Sequence, residues 1–330
     1  MNEWQSLLSE EERASLKKSS FPDWVAPMLA TLSHDHFTHP DWVFERKLDG
    51  ERCLVFRQGE HVRLLSRNQK SQNAFYPELT HAFGQIEGDV VLDMEVVTFK
   101  GNVSSFSALQ NRMHVQNPDK ALQQAYPVFA YIFDVLYLDG YLVTSLPMVT
   151  RKAILKKALN FTDPLRFLFY QNEDGEALLK KACEKGWEGL IAKRRNAPYH
   201  HSRSKNWLKF KCARGQEFIV LGYTAPEGER VGFGALLVGY YDEGSLQYAG
   251  KVGTGFDDGF LAAFLKKMNQ HTRKTCPLAS FDDADNAVTW LSPYFVCEVG
   301  FTEWTPGGKL RHPRFLGLRK DKSPDDVVRE

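Results

Sequence analysis

The sequence predicts an α+β protein of two domains, the first an antiparallel sheet flanked by helices, the second a small β-barrel with a single helix. Three observations lead there. The chain of 330 residues is more than twice an average domain of about 150 residues. Before residue 213 strand-like runs mix with helical patterns, and after it short strands with turns surround one helical stretch. Hydrophobic residues make up 43% and charged residues 25%, a globular balance that excludes a disordered tail or a fibrous repeat.

In chain order, 1–22 is a polar helical segment around Ser9-Glu10-Glu11-Glu12 ending at Phe21-Pro22, an appendage rather than a domain. The runs Trp42–Lys47 and Arg52–Arg57 are β-rich and separated by Asp49-Gly50, a tight-turn signal that predicts a hairpin. Val62–Ser66, Val90–Phe99 and Val128–Leu138 continue the sheet. Helices follow at Arg151–Asn160 and Glu173–Lys185, the second stopped by Gly186. Strands Gly189–Lys193 and Asn206–Cys212 close the first domain, 23–213. Ala213-Arg214-Gly215-Gln216 lacks periodicity and is the expected hinge. In 214–330 strands are expected at Phe218–Tyr223, Ala235–Tyr241, Leu246–Val252 and Phe295–Phe301, with a helix at Phe260–Met268. By fold analogy this is an OB-fold, the commonest such barrel that handles nucleic acid.

Lys and Arg total 42 against 41 Asp and Glu, a net charge of +1, so bulk charge announces no polyanionic partner and any basic surface is local. Five cysteines stand far apart without a Cys-x-x-Cys pair and read as reduced thiols rather than a zinc site or disulfide framework. The N-terminus has no apolar run and no stretch is long enough for a bilayer span. The expectation is a cytoplasmic protein with no membrane partner.

Several short patterns carry chemistry. Lys47-Leu48-Asp49-Gly50-Glu51-Arg52 sets an amine at the mouth of a turn, and a deprotonated lysine is a covalent nucleophile; lysines at turns are also ordinary solvated charges. In Leu92-Asp93-Met94-Glu95-Val96-Val97 strand alternation puts Asp93 and Glu95 on one face, fit for a hard cation, a ribose hydroxyl, or simply water. Lys209 and Lys211 share a strand face, where a phosphate would relieve their repulsion. Glu188 begins Glu188-Gly189-Leu190-Ile191-Ala192-Lys193, in which strict alternation sends Glu188 and Lys193 to opposite faces. Arg311, Arg314, Arg319, Lys320 and Lys322 surround Asp321 in a basic tail. The histidines His34, His36, His39, His200 and His201 lack partners at metal-site spacing.

Taken together and in this order, the motifs resemble those of the ATP-dependent DNA ligases and, more broadly, the covalent nucleotidyltransferases. Lys47–Arg52 is similar to the nucleophile motif Lys-x-Asp-Gly-x-Arg, and Ser66-Arg67-Asn68, Asp93–Glu95, Phe133-Asp134, Glu188-Gly189, Lys209 with Lys211, and Arg319–Lys322 resemble the motifs after it. The closing stretch Leu310-Arg311-His312-Pro313-Arg314-Phe315 most resembles the ligase module of bacterial end-joining repair. The likeness spans roughly 26–328. It implies an antiparallel-sheet nucleotidyltransferase domain of the ATP-grasp-like ligase type, followed by an OB-fold domain that carries the last motif. It further implies that Lys47 attacks the α-phosphorus of ATP and releases pyrophosphate. Glu45 then reads the adenine, Phe133 stacks on it, and Arg52, Arg67 and Glu95 fix ribose and phosphates. Glu188, with Glu95, holds Mg²⁺ or Mn²⁺; Lys209 and Lys211, with Arg203 beside them, bind the α-phosphate; Arg319, Asp321 and Lys322 orient the departing pyrophosphate.

A free lysine has a pKa of about 10.4, and nearby cations would lower it toward a nucleophilic amine. The AMP would pass to the 5′-phosphate of a DNA break and be displaced by the 3′-hydroxyl. One residue departs from the family pattern: Met94 stands where Gly is usual, and because it faces away from the carboxylates it is expected to pack in the core. Only about twenty residues precede the catalytic core, too few for the extra DNA-binding domain such ligases often carry. A monomer acting on nicked or broken duplex DNA, helped by a DNA-end-binding repair protein, is therefore expected. The alternatives are an RNA ligase or GTP-using capping enzyme, which share the nucleophile motif, and a non-catalytic OB-fold nucleic-acid-binding protein.

Overall fold

In a computed structural model of the chain, the described residues are 3–33, 35–172, 174–212, 215–226, 228, 231–281, 288–301 and 303–329. His34, and Ala213 and Arg214 of the expected hinge, lie outside them. The chain forms two compact units, Met1–Cys212 and Ala213–Glu330.

The first unit is built on two sheets. One runs, in spatial order, Lys17–Lys18, Tyr141–Leu142, Phe129–Leu138, Val90–Val97, Glu51–Gln58 and His61–Ser66, with Leu165–Phe167 parallel to Phe129–Leu138. The other runs Tyr170–Gln171, Trp42–Lys47, Gly189–Arg194, Arg203–Lys211 and Leu29–Leu32, the last pair parallel. Alternation gives each sheet two buried faces. Leu54, Phe56, Val91, Val97 and Phe133 of the first share a core with Trp207 of the second. Behind the first sheet, Cys53, Val55, Leu92, Met94 and Val96 pack with Leu79 and Phe83 of helix Pro77–Gly84 and Ile154 and Leu155 of helix Met148–Ala158. Met94 is fully buried there, as its strand face predicts. Behind the second sheet, Phe44, Leu190 and Phe210 meet Leu178 and Ala182 of helix Gly175–Glu184.

The structure corrects three expectations. Trp42–Lys47 and Glu51–Gln58 form no hairpin: they belong to different sheets, so Leu48-Asp49-Gly50 is a crossover. The turn chemistry is real but serves another end. Asp49 Oδ2 accepts from Phe106 N at 2.9 Å, the Asp49 N–H donates to Ser104 Oγ at 3.0 Å, and a Cβ on Gly50 would lie 2.2 Å from the Val96 carbonyl oxygen. The N-terminal segment is docked rather than appended, with Trp4 and Leu8 in the core and Lys17–Lys18 paired with Tyr141–Leu142. Cys183 and Cys212, read as thiols, form a disulfide with Cα atoms 5.2 Å apart; the fold joins a helix end to a strand end 29 residues later, a pairing no local spacing signals. The second unit agrees with the expected OB-fold, although its sheet does not close into a barrel among the described residues.

In that second unit, strand Gly215–Thr224 organises the sheet. Its first half pairs with Val296–Gly300 and its second half with Val288–Leu291, while Leu236–Asp242 and Ser245–Val252 continue from its other edge. Switching partners along one strand bends the sheet around Leu261, Phe264 and Met268 of helix Asp258–Met268.

Candidate active site

Three neighbouring strands converge on Lys47. Gly189 is the cross-strand partner of Lys47 on one side and of Lys211 on the other, so the amine, Glu188 and Lys211 arrive from successive strands. Gly189 has φ +147°, and a Cβ there would stand 1.9 Å from the Phe210 carbonyl oxygen; only glycine permits this approach. Lys47 Nζ is 2.5 Å from Glu188 Oε1, with both side chains mostly buried. Lys209 pairs opposite Ile191 one step along. Lys209 and Lys211 are both partly exposed.

A second group surrounds Glu45, two residues before the lysine. Its carboxylate lies 2.9 Å from Lys152 Nζ and 2.7 Å from Lys193 Nζ, and all three side chains are fully buried. Burial pushes the Lys152 ammonium below the ordinary lysine value, against the pull of Glu45. Lys193 Nζ also lies 4.5 Å from the centre of the Phe133 ring and 4.0 Å from that of Trp207. Strict alternation would keep Glu188 and Lys193 apart, yet both reach this region, because Glu188 precedes the strand's first residue and does not obey its alternation.

The third group rests on the other sheet. Arg52 grips Asp93 with two donors, donates to the Met28 carbonyl at 3.2 Å, and lies 4.7 Å from the Phe133 ring centre. Burial opposes its charge, but Asp93 outweighs it and holds Arg52 above the usual arginine range. Tyr199 donates to Asp93 Oδ2 at 2.6 Å and accepts from the Met28 N–H; burial and Asp93 raise its hydroxyl well above an ordinary tyrosine. Glu95 is paired across strands with Arg52 and Tyr131. Arg67 follows Ser66, the cross-strand partner of Cys53 and last residue of its strand.

Lys47, Glu188, Lys209 and Lys211 are thus brought together, as are Arg52, Glu95 and Phe133. Arg203 is not. It is exposed at the far end of the strand from Lys209 and donates to the Ala30 carbonyl at 2.7 Å; six residues at about 3.3 Å each put it roughly 20 Å away. Lys152, Lys193 and Tyr199 have no role in the sequence pattern, and Asp93, paired there with Glu95 as an acid for a cation or ribose, serves instead as the partner of Arg52 and Tyr199. Only Asp93 and Lys193, inside motif runs, carried a signal there.

The second unit holds its own charged network. Arg319 donates to both Asp321 oxygens at 3.0 and 2.8 Å and to Glu298 Oε2 at 3.0 Å, while Lys322 Nζ lies 3.4 Å from Glu217 Oε1. Burial would raise the Asp321 carboxyl, but Arg319 and Lys322 together hold it below the usual range. Among the described residues no three His, Cys, Asp or Glu side chains cluster to hold a metal ion.

Residues 27–211 match the family model described as the ATP dependent DNA ligase domain, and 229–322 match the ATP dependent DNA ligase C terminal region. A multifunctional non-homologous end joining protein LigD of Pseudomonas aeruginosa is 36% identical, covering 95% of this chain and 37% of the relative. LigD of Mycobacterium bovis is 38% identical over 93% of this chain and 40% of its own. The chain therefore spans about two fifths of these relatives. A solved mycobacterial DNA ligase D complexed with ATP and MES is similar at 34% identity and a TM-score of 0.65, covering 93% of this chain and 98% of that one.

Proposed function

Because the chain belongs to the ATP-dependent DNA ligase family, we propose that it seals 5′-phosphate/3′-hydroxyl breaks in duplex DNA through an AMP bound to Lys47, and that it does so in end-joining repair. The observation that carries this reading is the convergence of Lys47, Glu188 and Lys211 across the Gly189 register.

Glu188 Oε1 holds the Lys47 proton and is placed to take it as the amine attacks. The new bond joins Nζ to the α-phosphorus, and the bond to the bridging oxygen breaks, leaving pyrophosphate with the electron pair. Such transfer needs positioning and charge cancellation more than covalent help, which Lys209 and Lys211 supply. Arg52, fixed by Asp93, and Glu95 face the position proposed for the ribose. Arg319, Asp321 and Lys322 serve the departing pyrophosphate. Glu188 and Glu95 offer the hard oxygen donors that Mg²⁺ or Mn²⁺ takes, since one or two carboxylates suffice when phosphates and water complete the shell. Bound there, such an ion would offset phosphate charge.

The test is incubation with ATP labelled at the α-phosphate. The wild-type chain gains the label and Lys47→Ala gains none; a labelled Lys47→Ala protein would remove Lys47 from this role. Sealing of nicked DNA against nicked RNA, and ATP against GTP, separates the ligase from the capping-type reading. The partner reading predicts weak salt-matched binding to DNA ends that tightens with an end-binding protein.

A further inference from the structure

A cavity of about 740 Å³ lies in the first unit, bordered by strand Trp42–Lys47 and the chain just before Gly189. Its walls are aromatic rings faced by cations. The Arg46 guanidinium sits 4.4 Å from the Trp187 ring centre and 5.8 Å from that of Phe99, and Arg166 sits 3.7 Å from that of Phe129. Lys185 adds an exposed ammonium 5.3 Å from Trp187. Among the described residues no carboxylate lines the cavity. Arg166 is neutralised by a two-pronged pair with Asp163 at 2.6 and 2.8 Å, leaving Arg46 and Lys185 as the positive charge. Arg46 donates to the Asn102 carbonyl at 3.2 Å, and its buried Nε has no hydrogen-bond partner among the described residues.

Arg46 and Trp187 immediately precede Lys47 and Glu188. Alternation turns Arg46 to the opposite strand face from Lys47, so the cavity adjoins the reacting amine without being part of its pocket. Rings and guanidinium planes stack bases, and ammonium groups hold phosphates. In a paired duplex the base faces are already covered by their neighbours; an unpaired base is not. The volume lies within the range of about 300–1,000 Å³ that small-ligand sites occupy.

We propose that this cavity takes an unpaired nucleotide of a DNA strand end, by stacking its base on the Arg166 guanidinium plane that covers Phe129 and holding its phosphate at Arg46 and Lys185. The proposal rests on the DNA-sealing reading above and adds a preference for ends that carry an unpaired nucleotide. The test uses the full chain, a fully paired nicked duplex, the same duplex with one unpaired nucleotide at the nick, and free AMP. Loss of one stacked base weakens binding about tenfold, so Arg166→Ala with Lys185→Ala should lose about that factor on the unpaired substrate only. Paired-nick binding and self-adenylylation should stay as in wild type. Equal losses on both duplexes, no wild-type preference, or a matching loss confined to free AMP would each overturn the assignment. As a check that needs no variant, 5-iodouracil at the unpaired position should cross-link wild type at Trp187 or Phe129; cross-links only elsewhere would also overturn it. Failure of wild type to adenylylate would instead strike the sealing reading itself.

Discussion

At the residue scale, charged groups do two different jobs. Lys47 and Glu188 are mostly buried but keep some contact with solvent, as reacting groups must. Glu45, Lys152 and Lys193 are sealed away, where each charge depends on its partner. Breaking a buried pair by removing one partner costs about 3–5 kcal/mol. Glu45→Gln should therefore lower stability by about that amount in urea unfolding, and an unchanged midpoint would show that the triad does not hold the cleft. The pH dependence has a definite sign. Lys152 has a folded-state pKa below the 10.5 of an ordinary lysine, so between the two values the unfolded chain binds the extra proton and stability rises with pH. Glu45→Gln removes an attraction that holds the proton, which lowers the folded value further. The deficit should be largest near neutrality and shrink as pH climbs toward about 10; a deficit that does not vary with pH would exclude Lys152 as its source.

At the element scale, the strands were legible and their partners were not. Runs such as Val90–Val97 and Gly189–Arg194 announce themselves by composition, and Met94 could be assigned to the core from alternation alone. The Asp49-Gly50 signal does not by itself decide the connection, because a hairpin and a crossover between sheets use the same residues; what separates them is the carbonyl of Val96 beside Gly50, a contact more than forty residues distant in the chain. The short helices Pro77–Gly84 and Lys120–Ala125 were missed, being too short to build a periodic signal. Lys152 was invisible for a related reason: on a helix it reads as a solvated charge until the fold sets it against Glu45. Gly189 ties element to chemistry. Gly189→Ala would drive a Cβ into the Phe210 carbonyl at a φ that side chains rarely adopt, so it should cost about 3 kcal/mol or more and slow self-adenylylation by displacing Glu188 from Lys47. Gly84→Ala, with open space around it, is the control and should leave adenylylation unchanged. If the two variants behaved alike, the three-strand register would not be what aligns the amine.

At the scale of the whole molecule, the composition conceals how the chain would hold DNA. A net charge of +1 gives no general attraction to a polyanion, so affinity must come from cations placed locally. Outside the proposed nucleotide site, Arg194 is exposed on the strand next to the lysine-bearing strand and Lys205 on the strand beyond that, Arg194 facing the Trp42 ring at 5.5 Å. Each phosphate that a cation neutralises releases counterions and adds about −0.9 to the slope of log K against log salt. Arg194→Ala and Lys205→Ala should each flatten that slope for nicked duplex by about 0.9 while self-adenylylation proceeds at the wild-type rate, because neither residue approaches Lys47. Binding titrations at four or five salt concentrations measure the slope directly. A slope unchanged in both variants would move the DNA-binding surface away from this edge of the first unit, and a parallel fall in adenylylation would show that these side chains support the fold rather than the DNA.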